Sequence, residues 1–220
     1  MSIESALFKI KQEIPAHVKL VAVSKTYPVG RILEAYQTGQ QVFGENRVQE
    51  LVEKQAALPA DIEWHLIGHL QKNKVKYIAP FVSLIHAVDN LELLKQIDKE
   101  GRKVHRVIPC LIQIYIAEEE SKFGFSYAEA EKFFGSFEPE QFPYVEICGL
   151  MGMASFTSNT DQVRAEFRKL AEFFKKLKST AMKSSAHFKE LSMGMSGDYN
   201  IAIEEGSTLV RIGSAIFGNR

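Results

Sequence analysis

The chain has 220 residues, 45% of them apolar and 25% charged, and its 27 lysines and arginines balance its 27 aspartates and glutamates. This is the composition of a globular chain able to bury a sizeable core, and zero formal charge excludes a global electrostatic attraction for nucleic acid or an anionic membrane. No run of about 18 apolar residues occurs, so no membrane-spanning helix is expected.

The opening segment MSIESALFKIKQEI spaces acidic and basic groups for an amphipathic helix through about Ile14 and lacks the form of a signal peptide. Short apolar runs then alternate with longer mixed segments, the signal for βα units. The predicted strands are LVAVS (20–24), QVFG (41–44), EWHLIG (63–68), FVSLIHAV (81–88), RVIPCLIQIYI (106–116), YVEICGLM (144–151), ELSMG (190–194) and TLVRIG (208–213). Segments near 28–39, 46–57, 71–78, 90–101, 126–135, 160–182 and 198–206 return an apolar residue every three or four positions and are the predicted helices. In the longest, Val163, Phe167, Leu170, Phe173, Phe174 and Leu177 share a face, and Thr160 or Asp161 is placed to cap the start.

Eight units favour a closed (β/α)8 TIM-type barrel over an open doubly wound sheet. The first strand is followed by KTYPVG rather than a GxGxxG turn, and no Walker A motif is present. No linker divides the chain, so one domain over residues 1–220 is expected. Cys110 and Cys148 sit in apolar runs without the spacing of metal or redox pairs and read as core residues of a cytoplasmic protein.

In such a barrel the working face lies at the C-terminal ends of the strands. Lys25 follows the first strand, where partial desolvation would make its amine a nucleophile toward a carbonyl; a strand-end lysine reaching solvent is the plainer alternative. The second run ends in GENRVQE, where Asn46 can cap a helix or orient a ligand oxygen, with Glu45, Arg47 and Glu50 nearby. His65 and His69 straddle a strand and its loop without an HExxH glutamate, so no metal is assigned; His65 and His86 read as core histidines, and His17 and His187 fall in loops. SMGMSGD and VRIGSAIFG place Gly194, Ser196, Gly197, Gly213 and Ser214 at neighbouring loop starts, which form either a phosphate cup or two ordinary turns. Arg211, two residues before Gly213, alternates inward and would keep an aromatic ring nitrogen unprotonated. A lysine for a carbonyl, a Gly/Ser cup and an arginine for a ring nitrogen together describe a pyridoxal 5′-phosphate site.

The segments LVAVSKT (20–26), FGENRVQE (43–50), WHLIGHLQKNK (64–74), GLMGM (149–153) and LSMGMSGDYNIAIEEGSTLVRIGSAIFG (191–218) resemble the pyridoxal phosphate homeostasis protein family, relatives of the barrel half of alanine racemase. The resemblance implies a Schiff base on Lys25, a phosphate held by Ser196, Gly213 and Ser214, Arg211 at the pyridine nitrogen and Asn46 near the ring hydroxyl. Arg47 stands where some relatives carry tyrosine, and Ser214 where others carry threonine. With no β domain after Arg220 to serve the second face of a substrate, the resemblance implies cofactor binding and homeostasis rather than an enzyme. The expected partners are pyridoxal 5′-phosphate and PLP-dependent apoenzymes, with no nucleic acid and no membrane, for a monomer. A low-activity PLP-dependent racemase using Lys25 and either His69 or Tyr199 is the alternative, and a phosphate-binding barrel with Lys25 as an ion-pairing residue is a third.

Overall fold

The computed structural model describes residues 2–117 and 123–218. Helix α1 (Ile3–Glu13) is followed by β1 (Lys19–Val23), α2 (Val29–Gln37), β2 (Val42–Glu45), α3 (Val48–Ala57) and β3 (Glu63–Leu66). A 3₁₀ turn, Lys72–Lys74, leads into α4 (Val75–Ile78), then β4 (Leu84–Val88), α5 (Leu91–Lys103), β5 (Ile108–Gln113) and α6 (Tyr127–Gly135). The chain continues through β6 (Val145–Met151), α7 (Thr160–Ser179), β7 (Glu190–Met195), α8 (Tyr199–Glu204), β8 (Leu209–Ile212) and α9 (Ser214–Phe217). The eight strands form a closed barrel in sequence order, every neighbouring pair parallel. Closure pairs Lys19 with Leu209 and Ala22 with Ile212. Among the described residues no helix is long and apolar enough to cross a membrane.

Every predicted run overlaps a strand; most strands are shorter than their runs, while β1, β2 and β7 each reach one residue beyond theirs. The fourth begins only at Leu84, because Val82 N–H still donates to Ile78 O at the end of α4. The predicted helix near 71–78 divides into the 3₁₀ turn and α4, and α9 lies beyond the predicted set. Neither Thr160 nor Asp161 caps α7: Asn159 does, accepting from the N–H groups of Asp161 and Gln162, which leaves Thr160 as the first helical residue. Asn90 caps α5, and Ser126 with Glu129 forms a reciprocal capping box on α6.

Period-two alternation divides the burial between two layers. Ala22, Phe43, Trp64 and Ile112 belong to the large cluster beneath the helices, while Val21, Val42, Leu84, Leu111, Cys148 and Leu209 form a second cluster inside the barrel. Both cysteines are buried, and burial pushes the Cys148 thiol up to about 12.

The interior also carries a polar chain. Arg211 Nη1 donates to Ser192 Oγ at 2.5 Å and to Ser192 O at 3.0 Å, Ser192 Oγ lies 2.9 Å from His86 Nδ1, and His86 Nε2 lies 3.0 Å from His65 Nδ1. A guanidinium only donates, which leaves the Ser192 hydroxyl its own hydrogen to offer His86 Nδ1; in that arrangement both neutral imidazoles carry their proton at Nε2. Burial holds both histidines below the usual imidazole range, His65 down to about 3.

The unfolded chain protonates its histidines below about pH 6.5, whereas these two remain neutral when folded, so the unfolded state binds more protons in that window. Stability is therefore expected to fall as pH drops from about 6.5, by of order 1 kcal/mol per pH unit from His65 alone. Thermal unfolding followed from pH 7 to pH 4 checks this, and an unchanged midpoint between pH 6.5 and 5 would contradict it.

Candidate functional site

A cavity of about 860 Å³ opens where the C-terminal ends of the strands meet, within the ordinary size range of small-molecule sites. Lys25, Asn46, Ser196, Arg211, Gly213 and Ser214 all line it. They come from the β1, β2, β7 and β8 ends, the adjacent quarters that closure of β8 on β1 brings together. Phe123, Met153, Phe156 and Met195 form an exposed apolar rim.

Lys25 sits in a tight turn, with Tyr27 N–H donating to Ser24 O at 3.1 Å. Thr26, the third residue of that turn, has φ 67°, where glycine is the usual occupant and a β-branched residue costs about 1–3 kcal/mol. Side chains from β2 and α3 lie behind the turn. Lys54 Nζ donates to Ser24 O at 2.8 Å, Glu45 Oε1 at 2.8 Å and Glu50 Oε1 at 2.6 Å, so all three ammonium hydrogens have acceptors. Ser24 Oγ donates to Glu45 Oε1 at 2.6 Å, and Thr26 N–H donates to Glu50 Oε1. Burial pushes the Glu45 carboxyl up, opposed by its bonds to Lys54 and Ser24. Glu45 Oε2 is a buried oxygen without a hydrogen-bond partner among the described residues.

Asn46 does not cap α3: Arg47 occupies the cap position, and no side-chain bond closes it. The backbone of Asn46 lies close against Gly68, where a Cβ would stand 2.7 Å from Asn46 O, so glycine alone permits this approach of the β2 and β3 ends. Gly213 also sits close to its neighbour on the other side, where a Cβ would stand 3.1 Å from Val23 O, a tight contact rather than a forbidden one. Its N–H donates to Ser196 Oγ at 3.2 Å, linking the two Gly/Ser loops directly. Tyr27 stacks on Phe217 of α9 with centroids 4.9 Å apart and donates to Gly218 O at 2.5 Å, joining the first and last units beside the cavity.

Arg211 is buried at the cavity floor, with Nη2 donating to Gly152 O at 3.1 Å besides its bonds to Ser192. Burial lowers its pKa to about 10, partly opposed by Asp198, so the guanidinium remains cationic at neutral pH. Burial in turn pushes the Asp198 carboxyl up. A buried cation bound to serine and carbonyl oxygens, a nearby amine and a hydroxyl-lined pair of loops suit a flat ring that carries an electron-rich nitrogen, a carbonyl and an anionic arm.

The other candidates separate. His69 lines the cavity, its Nδ1 2.9 Å from the nearly buried Asp89 Oδ2. Tyr199 is absent from the cavity lining: its hydroxyl donates to Glu13 Oε2 at 2.5 Å, at the end of α1, because α8 turns that side chain toward the outer helices. His65 and His86 lie in the barrel interior, and His187 faces Glu146 at 3.4 Å. Lys54 and Ser192 escape the sequence reading. The only local trace of Lys54 is its i, i+4 spacing from Glu50, and nothing near Ser192 announces Arg211 as its partner.

A family model described as alanine racemase, N-terminal domain, matches residues 2–220. The pyridoxal phosphate homeostasis protein of Aquifex aeolicus (strain VF5) is 44% identical over 204 residues, covering 92% of this chain and 87% of its own. Among solved structures, PipY of Synechococcus elongatus PCC7942 without PLP aligns at TM-score 0.92 and 35% identity, over 99% of this chain and 100% of that one. PipY with PLP bound aligns at TM-score 0.88 and 34% identity over the same shares.

Ser192→Ala would remove the hydroxyl between Arg211 and His86 and leave a buried ring nitrogen unpaired, at a cost of about 1–3 kcal/mol. Urea unfolding measures this, and a variant as stable as the parent would show that the bridge carries no weight.

Proposed function

Because the chain belongs to the pyridoxal phosphate homeostasis protein family, built on the alanine racemase N-terminal domain, we propose that it binds pyridoxal 5′-phosphate at the barrel mouth and serves intracellular vitamin B6 homeostasis. In this role it buffers the cofactor and delivers it to PLP-dependent apoenzymes. The observation that carries the reading is the meeting of Lys25, Asn46, Ser196, Arg211, Gly213 and Ser214 around one cavity. The similarity to PipY, whose structure includes PLP, supports it. The proposal takes residues 1–220 as one PLP-binding domain, monomeric and cytoplasmic.

When bound, the cofactor would supply an aldehyde that the Lys25 amine could condense with, losing its oxygen as water, and a pyridine ring that withdraws electrons. Ser196 and Ser214 would donate hydroxyl hydrogens to its phosphate, with backbone N–H groups at Gly213 and Ser214 behind them. The Gly213 N–H is already shared with Ser196 Oγ, so phosphate would compete with that bond. Arg211 would donate to the ring nitrogen and, being a poor proton source, leave it an acceptor. Asn46 would orient the ring hydroxyl.

The low-activity PLP-dependent amino-acid racemase is the second reading, and His69 favours it. Held by Asp89 on the cavity wall, its imidazole is an available acid/base group, whereas Tyr199 lies elsewhere.

Purified protein mixed with PLP is expected to gain a near-visible band that borohydride fixes onto the peptide containing Lys25, and Lys25→Ala is expected to lose both. Ser196→Ala and Ser214→Ala should each weaken PLP by about tenfold, the worth of one hydrogen bond to an anion. No band at saturating PLP would overturn the reading. Inversion of D- or L-amino acids that vanishes in Lys25→Ala would promote the racemase.

A further inference from the structure

The buried group behind the β1–α2 turn is more elaborate than the fold requires. A lysine with 6% side-chain exposure stands between the fully buried Glu45 and the partly buried Glu50, and burying these ionisable groups carries a desolvation cost that apolar side chains would avoid. Its bonds converge on the two residues that flank Lys25. On one side Ser24 is held twice, through its carbonyl by Lys54 and through its hydroxyl by Glu45. On the other, the backbone N–H of Thr26 is held by Glu50. Thr26 has a positive φ without being glycine, so the turn depends on outside support to keep this shape.

We propose that Glu45, Glu50 and Lys54 are positioning residues for Lys25, a three-membered ionic clamp that fixes the backbone on both sides of the lysine and so directs its amine to the cavity. The inference rests on the reading in which Lys25 captures PLP. Glu50 is the pivotal member: its Oε1 takes both the Thr26 N–H and a Lys54 hydrogen, joining the far side of the turn to the near side. None of the three side chains lines the cavity. Loss of the clamp should therefore slow covalent capture and leave reversible binding by the Gly/Ser loops intact.

The test compares wild type, Glu50→Ala and Glu50→Gln with two ligands. PLP reports capture, read as the rate of growth of the near-visible band and by borohydride trapping on the Lys25 peptide. Pyridoxine 5′-phosphate, an alcohol that has no aldehyde, reports reversible occupancy alone by calorimetry. Glu50→Ala is expected to capture PLP about tenfold or more slowly, the scale of penalty for a misplaced reacting group, with its affinity for pyridoxine 5′-phosphate unchanged. Glu50→Gln keeps an acceptor for Thr26 N–H and should recover most of the rate. Capture by Glu50→Ala at the wild-type rate would overturn the proposal, as would parallel loss of both ligands, which would make the clamp merely structural. Should Glu50→Ala fail to fold, Glu50→Asp replaces it: one methylene shorter, it cannot reach both partners, and capture as fast as in Glu50→Gln would sink the idea. Wild type that binds pyridoxine 5′-phosphate but never forms an adduct at Lys25 would overturn the Schiff-base reading first, and the clamp's role with it.

Discussion

In a closed ring of eight parallel strands every strand runs the same way, and that constraint governs where the rest of this molecule's chemistry can lie. Each strand must return to the same end before the next begins, so every C-terminal end arrives at one mouth. Pairing of Lys19–Ala22 with Leu209–Ile212 makes the last unit the neighbour of the first. Lys25 and Ser214, at opposite ends of the chain, thereby share a wall. Small residues set how closely the loop starts approach: Gly68 against Asn46, and Gly213 against Val23.

Two cationic side chains, Lys25 and Arg211, face this mouth among the described residues, and the protein supports them by opposite means. Arg211 rests on uncharged groups, Ser192 and the carbonyl of Gly152, backed by two histidines that burial keeps neutral. Its positive charge thus reaches the cavity without a bonded carboxylate in the chain beneath it. The turn that carries Lys25 rests on charged groups, Glu45, Glu50 and Lys54, which bond one another and grip the turn at the Ser24 carbonyl, the Ser24 hydroxyl and the Thr26 N–H. One support preserves the field of a cation, and the other governs the conformation of a peptide.

The strands, the long amphipathic helices and the loop starts at Lys25, Asn46, Ser196 and Gly213 are legible because each leaves a local mark, a period of two or 3.6 or a cluster of small polar residues after an apolar run. What escapes is what needs a partner from elsewhere. Ser192 looks like any inward strand residue until β8 places Arg211 beside it, and Lys54 looks like a solvated helix lysine until α3 packs across the β1 end. Tyr199 and His69 illustrate the same limit from the other side. Both stand near strand ends in sequence, yet helix phase sends one to Glu13 and loop geometry brings the other to the cavity. The cap of α7 moves by a single residue, from Thr160 to Asn159, because both have the side-chain oxygen the position needs.

The packed interior of the barrel has a consequence for traffic. Val21, Val42, Leu84, Leu111 and Leu209, together with the buried His65 and His86, fill the bore, so the structure is a cup rather than a pipe. Among the described residues the cavity opens at the C-terminal ends of the strands, where Phe123, Met153, Phe156 and Met195 frame the doorway. Arrival and departure thus contend for the same opening: a newcomer waits in line until the resident has left. Turnover of the contents is a property of the rim as much as of the floor.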